Sequence, residues 1–234
     1  MIPKIIHFCW LGEGKKTPLI KKCMKSWKKY LPEYELKEWN ESNIQLDHPY
    51  LKEAYSQKLW SRMSNLIRLQ ALYNEGGIYL DTDVEVLKNF SPLLNQECFL
   101  GFQRRERHKD WLNNAILGSV PKHPFVKRCM DFLVQECMKD KVFYVQPELT
   151  TKVLTAMGLK EYVEQKIQGV QLYPVEYFFP YSWDEKFYPE CVKKDTYCIH
   201  YWQNSWGEKT SFKDQVRQSS LYQWLSQKSK IFRA

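Results

Sequence analysis

The most informative stretch of this sequence is Gly76-Gly77-Ile78-Tyr79-Leu80-Asp81-Thr82-Asp83. Its apolar residues at 78–80 predict a buried strand, and the glycine pair before them is typical of the end of a helix. Two carboxylates follow at the carboxyl end of that strand, where ligands of open α/β sheets bind. If the strand continued, alternation would place Asp81 and Asp83 on one face, where they would repel each other unless a cation neutralised them. A hard divalent ion that shares its shell with phosphate oxygens is therefore the favoured ligand.

Helix and strand patterns alternate on both sides of this stretch. Apolar residues recur at helical spacing from Gln57 to Glu75, and Thr17 followed by Pro18 is typical of the start of a helix that runs to Leu31. Further strands are predicted at 5–10, 34–39, 84–87, 99–102, 115–120, 170–173 and 197–202, and further helices at 124–138, 147–157 and 211–229. This order predicts an α/β protein with a mainly parallel central sheet flanked by helices, in a single domain that spans residues 1–234.

The composition is typical of a folded protein rather than a disordered or membrane-spanning one. Hydrophobic residues make up 44% and charged residues 26% of the 234 residues. No run approaches the roughly 18 apolar residues that a membrane span needs, and the amino terminus lacks the apolar core of a signal peptide, so we expect a cytoplasmic protein. Seven cysteines without a Cys-x-x-Cys pair argue against a disulfide framework and a structural zinc site. We expect them to be reduced and mostly buried.

Basic residues concentrate at the two ends of the chain, whose net charge is +8. Seven lysines and no acid lie between Lys15 and Lys29, on a segment whose apolar residues fit one face of a helix. Two interpretations stay open: the lysines form the solvated face of that helix, or they attract an anionic membrane or a phosphorylated acceptor. The second would place the protein at the inner face of the cell membrane. No nucleic-acid-binding motif accompanies the charge, so no nucleic-acid partner is expected.

Four blocks carry a family resemblance in the same chain order. They are Pro3-Lys-Ile-Ile-His-Phe-Cys-Trp-Leu-Gly12, Ser64 to Glu85, Asn114-Ala-Ile-Leu-Gly-Ser119 with Lys122-His123-Pro124, and Ile199-His200-Tyr201-Trp202 with Ser205-Trp206. Together they resemble the glycosyltransferase sugar-binding region that contains the Asp-x-Asp motif, of the family-32 type. That family includes yeast mannosyltransferases and bacterial capsule and lipopolysaccharide enzymes. The resemblance implies a GT-A fold, a nucleoside diphosphate sugar as donor, Mn²⁺ or Mg²⁺ as cofactor, and a retaining outcome.

The resemblance also implies a metal site and a catalytic set. Asp83 and His200 would bind the metal, and Asp81 would join that site or contact ribose or metal-bound water. Arg68 would face the donor sugar or phosphate and complete the catalytic set with Asp81 and Asp83. Each role suits its side chain, since imidazole tolerates Mn²⁺ and guanidinium suits phosphate or hydroxyl oxygens. His7, inside the first strand, is instead expected to be a core histidine.

A second implied set binds the donor. Trp10 would lie against the nucleotide base, because an indole offers a stacking face, although a tryptophan after a strand often caps the core. Ser205 and Trp206 would close over the metal and diphosphate, and Tyr79 and Asn65 belong to the same expected set with Arg68 and Asp81. Asn65 departs from the family pattern, which has an aspartate there, so its hydrogen bonding to donor hydroxyls should differ.

The expected function is a metal-dependent retaining glycosyltransferase. It would move a hexose or N-acetylhexosamine from a nucleoside diphosphate sugar to a saccharide or lipid-linked saccharide acceptor, in surface polysaccharide synthesis. One alternative is a non-catalytic carbohydrate-binding protein, since nine Trp and fifteen Tyr suit sugar stacking. Another is a phosphatase with an Asp-x-Asp motif, although Glu85 stands where that class has Thr or Val. Glu85 and Glu148 could do acid or base work, but a retaining transferase can work without either.

Overall fold

Helices and strands alternate in the first half of the chain and mix in the second. The computed structural model describes residues 1–12, 14–140 and 146–203, without the side chains of 137–140. Its strands are β1 Ile5–Cys9, β2 Glu35–Trp39, β3 Gly77–Leu80, β4 Val84–Val86, β5 Cys98–Phe102, β6 Leu112–Ser119, β7 Gln165–Ile167, β8 Val170–Tyr173 and β9 Cys198–His200. Its helices are α1 Pro18–Tyr30, α2 Pro49–Ser56, α3 Trp60–Glu75, α4 Pro124–Asp140, α5 Gln146–Ala156 and α6 Val175–Phe178.

The central sheet of the described region has seven strands in the order β2-β1-β3-β6-β5-β8-β7. Strand β1 pairs in parallel with β2 and β3, and β5 pairs in parallel with β8. Strand β6 is antiparallel to both β3 and β5, and β7 is antiparallel to β8. Five strands therefore share one direction, and only β6 and β7 oppose them. The α/β architecture with a mainly parallel sheet is confirmed.

The reversed strand β6 brings its first residues to the edge of the sheet where β3 ends. Leu80 of β3 pairs with Ile116 of β6, and the amide of Asp81 donates to the Ala115 carbonyl oxygen at 2.8 Å. Beyond that edge, β4 and β9 form an antiparallel ribbon in which Val84 is opposite His200. Residues from the middle and from the end of the described chain thus meet at one edge.

Helix α1 forms as its local sequence predicts and attaches to this edge. The Thr17 side chain accepts a hydrogen bond from the Ile20 amide at 3.3 Å and so caps the helix. The apolar face is buried, and the indole of Trp27 donates to the Val84 carbonyl oxygen at 2.7 Å. The lysines from 21 to 29 all lie on the exposed side. The apolar stripe of α1 therefore holds β4 in place while its charges face solvent.

Helix α3 starts later than the periodicity predicted. Residues 57–59, where the predicted helix began, instead link α3 to the separate helix α2, and Lys58 among them has a positive φ of 54°, which breaks the helical path. Helix α3 ends as expected at Gly76, whose amide donates to the Leu72 carbonyl oxygen at 2.9 Å. The sequence signal for a helix was correct, but it did not locate this break.

His7 is a core residue, as expected. Its Nε2 lies 2.8 Å from the Gly76 carbonyl oxygen, and its Nδ1 accepts from the indole of Trp39 at 3.2 Å. These partners require a neutral ring with the proton on Nε2, and burial correspondingly lowers the pKa of His7. Its role is to fasten β1 to the turn before β3.

Some short elements were not predicted, and one predicted helix lies outside the described residues. The short elements α2, β7 and α6 were not predicted, whereas the helix expected at 211–229 falls beyond residue 203. The single domain over 1–234 therefore stays a prediction. The six cysteines with described side chains are free and buried, as expected. None of the helices within the described ranges combines the length and apolar composition that crossing a bilayer requires.

The turn at Gly76 generates a test of stability. Gly76 has a φ of +67°, and a Cβ there would lie 2.7 Å from Pro121 Cδ and 2.9 Å from the Ser119 carbonyl oxygen. We expect Gly76→Ala to lower the free energy of unfolding in urea by about 2–4 kcal/mol, from backbone strain and overpacking. Gly14→Ala is the matched control, because a Cβ there meets no atom within 4 Å. Equal midpoints for the two variants would contradict this account.

Candidate metal and donor site

A tight turn, rather than a continuing strand, brings the two carboxylates together. Strand β3 ends at Leu80, and the Val84 amide donates to the Asp81 carbonyl oxygen at 3.0 Å, which closes the turn over Asp81, Thr82 and Asp83. The condition for strand alternation, that the strand continues through Asp83, is therefore not met. The two side chains still converge, because the chain bends between them.

His200 completes a cluster with Asp81 and Asp83. One ligand atom from each of the three residues lies within 4.8 Å of the others. His200 Nε2 is 3.3 Å from Asp83 Oδ1, and the pairing of β4 with β9 places the ring there. The Gln203 amide donates to Asp83 Oδ2 at 2.7 Å, and the Tyr201 amide donates to the Asp83 carbonyl oxygen at 3.1 Å. The strand and the residues after it thus hold Asp83 at several points.

Trp202 has an unusual backbone conformation beside this cluster. Its φ is 55°, in the left-handed region that residues other than glycine seldom adopt. The two amides on either side of it, of Tyr201 and Gln203, both reach Asp83. The Trp202 ring lies 4.2 Å from the His200 ring, between centroids, and its indole donates to the Tyr181 carbonyl oxygen at 3.2 Å. Backbone strain at this position is matched by contacts that fix both His200 and Asp83.

Burial and neighbouring charges act against each other in this cluster. Burial alone would raise the pKa of Asp83, but the charge and hydrogen bond of His200 outweigh it and hold that pKa below its usual value. Burial would lower the pKa of His200, but the Asp83 carboxylate raises it overall. Burial raises the pKa of Asp81, and Arg68 offsets only part of that effect. A cation would stabilise both carboxylates in their charged forms.

The three side chains fit Mn²⁺ or Mg²⁺. Two carboxylates and an imidazole offer oxygen and nitrogen donors, and imidazole favours Mn²⁺ over Mg²⁺. His200 Nδ1 is buried and has no hydrogen-bond partner among the described residues, which leaves one ring nitrogen unsatisfied. Asp81 keeps 26% of its side chain exposed, whereas Asp83 is almost fully buried at 6%. Asp83, His200 and Asp81 are therefore the residues that would hold the ion.

Arg68 extends the site from α3. Its Nη2 lies 3.1 Å from Asp81 Oδ1, and its Nη1 donates to the backbone and side-chain oxygens of Asn114, both at 3.2 Å. The guanidinium also lies 4.4 Å from the centre of the Tyr79 ring. Because Arg68 is only 5% exposed, these contacts fix its orientation. Arg68 and Asp81 therefore form an ion pair through Oδ1 of Asp81. The other carboxylate oxygen, Oδ2, is not part of this contact.

Two residues that the sequence analysis did not assign to the site support Arg68. The Asn114 Nδ2 donates to Gln146 Oε1 at 2.5 Å, and Gln146 Nε2 donates to the Asn65 carbonyl oxygen at 3.3 Å. Asn114 and Gln146 are both buried. An asparagine pair that opens an otherwise apolar buried strand, β6, was the available signal for Asn114. Gln146 carries no comparable signal, because its role depends on where α5 begins relative to α3.

The remaining expected donor-binding residues have different surroundings. Trp10 is partly exposed after β1, and its indole donates to the Gly14 carbonyl oxygen at 3.0 Å. Asn65 is half-buried on α3. Tyr79 is 2% exposed and lies against Arg68, which it supports, and its place in the donor-binding set stays a prediction. Ser205 and Trp206 lie outside the described residues.

The acidic residues considered for acid or base work are paired. Glu85 Oε2 lies 2.7 Å from Lys22 Nζ and accepts from the Tyr201 hydroxyl at 2.5 Å. Glu148 lies 3.8 Å from Lys109 and 3.9 Å from Lys152. Glu85 sits on β4 between two buried valines, so its side chain projects from the opposite face of the strand. Its contacts tie the β4–β9 ribbon to α1.

This sheet, with acidic residues at the carboxyl end of β3, is a GT-A glycosyltransferase fold. The solved structure of PaToxG glycosyltransferase matches it with a TM-score of 0.50 and 20% sequence identity. That match covers 66% of this chain and 69% of the other.

The chain belongs to the glycosyltransferase family whose sugar-binding region contains the Asp-x-Asp motif. The model of that region matches residues 18–100, and the model of the alpha 1,4-glycosyltransferase conserved region matches residues 119–229. Lactosylceramide 4-alpha-galactosyltransferase of Pongo pygmaeus is 32% identical over 64% of this chain and 70% of its own sequence. The Mus musculus protein of that name is 32% identical over 60% of this chain, which spans only 40% of the mouse protein. The family resemblance drawn from the sequence is confirmed.

Metal binding gives the first test of this site. At about 100 times its dissociation constant, Mn²⁺ should stabilise the folded chain by about 2.7 kcal/mol, which corresponds to a rise of about 5–10 °C in Tm. Asp83→Asn and His200→Ala should each lose most of that rise, because each removes a donor atom. Asp131→Asn, on the exposed side of α4, should keep it. A full Mn²⁺ response in both site variants would show that the ion binds elsewhere.

Proposed function

We propose that this protein is a metal-dependent, retaining glycosyltransferase. It transfers a hexose or N-acetylhexosamine from a nucleoside diphosphate sugar to a saccharide or lipid-linked saccharide. The observation that carries the proposal is the cluster of Asp81, Asp83 and His200 at the carboxyl end of β3, where each residue has a ligand atom within 4.8 Å of the others. An acidic cluster at that edge suits a cation bound together with a diphosphate.

The relatives support a saccharide acceptor that can be attached to a lipid. Two of them carry the name lactosylceramide 4-alpha-galactosyltransferase, which describes transfer of galactose to a glycolipid. This chain matches less than half of the mouse protein, so donor sugar and acceptor belong to the proposal. Synthesis of surface polysaccharide is the process that we propose for it. Family membership favours sugar transfer over the phosphatase alternative.

The residues around the cluster support stabilisation of a leaving diphosphate. The bound ion would supply positive charge to the diphosphate oxygens as the bond to the sugar breaks. Arg68 holds a second positive charge beside Asp81, and Asn114 prevents it from turning away. Such preorganised charges lower the barrier because they need no rearrangement as charge develops.

Retention of configuration fits the paired state of Glu85, the acid that follows the cluster on β4. Within the described part of the chain, Glu85 is the next acid along the strand, and Lys22 and Tyr201 already occupy its carboxylate. In a front-face reaction the acceptor proton passes to the leaving diphosphate, and the protein supplies neither nucleophile nor base. The pairing of Glu85 supports this route.

Loss of the metal ligand should abolish turnover. Asp83→Asn preserves the size of the side chain and an acceptor for the Gln203 amide, but removes the charge. We expect metal-dependent hydrolysis of the donor, screened over UDP and GDP sugars, to fall about a thousandfold or more, which equals about 4 kcal/mol of transition-state stabilisation. Asp131→Asn is the control.

Three outcomes would contradict the proposal. A folded Asp83→Asn variant with near-normal turnover in Mn²⁺ would exclude the metal role. Binding of glycans without any binding of UDP or GDP in Mn²⁺, the latter measured by calorimetry, would favour a non-catalytic carbohydrate-binding protein. Release of phosphate from a generic phosphoester without sugar transfer would favour a phosphatase.

We also propose peripheral contact with an anionic membrane, at its cytoplasmic face. The exposed lysines of α1 support it, since each basic residue near such a surface contributes about 1 kcal/mol. Replacing Lys21, Lys25 and Lys28 by glutamine should reduce sedimentation with phosphatidylserine vesicles at low salt by at least about tenfold. Replacing Lys160, Lys193 and Lys194, which are exposed elsewhere, changes the net charge equally and should have less effect. Failure of the unmodified protein to sediment at low salt would refute the contact.

A further inference from the structure

A cavity of about 400 Å³ lies over the second half of the sheet. Its wall includes Gln103, which directly follows β5, and Val175, which begins α6 just after β8. Strands β3, β5 and β8 run in the same direction, so their carboxyl ends share one edge. The cavity therefore opens at the same edge as Asp81, and its volume is within the range of small-molecule sites.

The cavity shares a wall with the metal cluster. Phe179 lines it, and the Phe179 ring lies 5.9 Å, between centroids, from both the His200 ring and the Trp202 ring. Tyr181 also lines it, and its carbonyl oxygen accepts the indole hydrogen of Trp202 at 3.2 Å. A ligand in the cavity would thus be separated from the cluster by a single aromatic side chain.

The reversed strand β6 lies between this cavity and the strand ends that carry the first expected donor contacts. Trp10 follows β1 and Asp81 follows β3, on one side of β6, whereas the cavity wall comes from the ends of β5 and β8 on the other. If the donor lies over β1 and β3, the acceptor must bind at a place that the donor does not occupy. We propose that this cavity binds the acceptor saccharide, an inference that rests on the proposed function.

Charge in the wall favours a neutral ligand. Three arginines line the cavity together with three carboxylates; they are Arg104, Arg105 and Arg107, and Glu106, Asp184 and Glu185. Two of the arginines are also paired, Arg104 with Asp110 at 3.2 Å and Arg105 with Glu176. Such a wall has no strong field to hold a phosphate, but it offers hydrogen-bond donors and acceptors side by side. Neighbouring hydroxyl groups of a sugar need both.

Aromatic side chains at the rim supply the other half of sugar recognition. Among the described residues, three exposed aromatics lie on one short segment: Trp183 is 55% exposed, Phe187 41% and Tyr188 45%. Tyr188 lines the cavity, and Arg104 lies 5.6 Å from the centre of the Trp183 ring. Exposed apolar groups gathered in one place commonly mark a binding surface. A flat aromatic face next to polar groups suits the apolar face and the hydroxyl groups of a pyranose ring.

The test uses the full chain on an array of immobilised neutral and acidic glycans. The variant replaces the two rim aromatics, Trp183→Ala with Tyr188→Ala, which are exposed, so their loss leaves the buried core unchanged. Val163→Ala is the control, because Val163 is 48% exposed and is not part of the cavity wall. We expect the unmodified chain and the control to retain neutral glycans, and the double variant to bind them at least about tenfold more weakly.

Nucleotide binding separates this inference from the proposed function. Calorimetry with UDP and GDP in Mn²⁺ should give the same affinity for the double variant and the unmodified chain, because the rim lies away from the cluster. Failure of the unmodified chain to bind nucleotide would overturn the proposed function, while the array would still report on the cavity. The acceptor assignment is overturned if the unmodified chain retains no glycan, if it retains only acidic ones, if the double variant binds as well as the control, or if the variant loses nucleotide affinity.

Discussion

When two carboxylates lie close together below the protein surface, their negative charge must be balanced by positive charge nearby. The architecture around β3 follows from this constraint. Arg68 meets Asp81 on one side, and His200 meets Asp83 on the other. Neither compensation is complete, because burial still raises the pKa of Asp81 and His200 retains an unsatisfied ring nitrogen among the described residues. The remaining demand for positive charge is what makes this edge of the sheet suited to a cation and to the phosphates that a cation attracts.

The partners of the two aspartates come from separate parts of the chain, and each is held by a further residue. Asn114 at the start of β6 and Gln146 at the start of α5 restrain Arg68. The backbone at Trp202 directs the Gln203 amide to Asp83. The reversed strand β6 is the element that makes this arrangement feasible, because its amino-terminal residues reach the edge where the parallel strands end. It also divides that edge into two regions, one for the cluster and one for the aromatic-lined cavity.

Features that depend on neighbouring residues were predictable from the sequence. The cap of α1 at Thr17, the end of α3 at Gly76 and the buried strand before Asp81 all follow from contacts within a few residues. The family resemblance located the aspartates and His200. Geometry set by distant contacts was not predictable, as the supports Asn114 and Gln146 show. The break at Lys58, the short strand β7 and the turn at Asp81 were also missed, although local contacts form them. The pairing of Arg105 in the cavity wall with Glu176 was also invisible, since 71 positions separate the two residues.

The β4–β9 ribbon joins the cluster to the core, because Val84, Val86 and Cys198 are buried in that core. Asp83 and Gln203 are 120 positions apart, yet one hydrogen bond joins them. Within the described residues β9 pairs only with β4, so the seven-stranded sheet can be complete before this ribbon closes. During synthesis on the ribosome, the nascent chain would therefore acquire its sheet first and His200, the third of the proposed metal ligands, last. Proteolysis just before residue 198 would leave both aspartates in the chain, but it would remove the imidazole beside them and the buried Cys198 from the core.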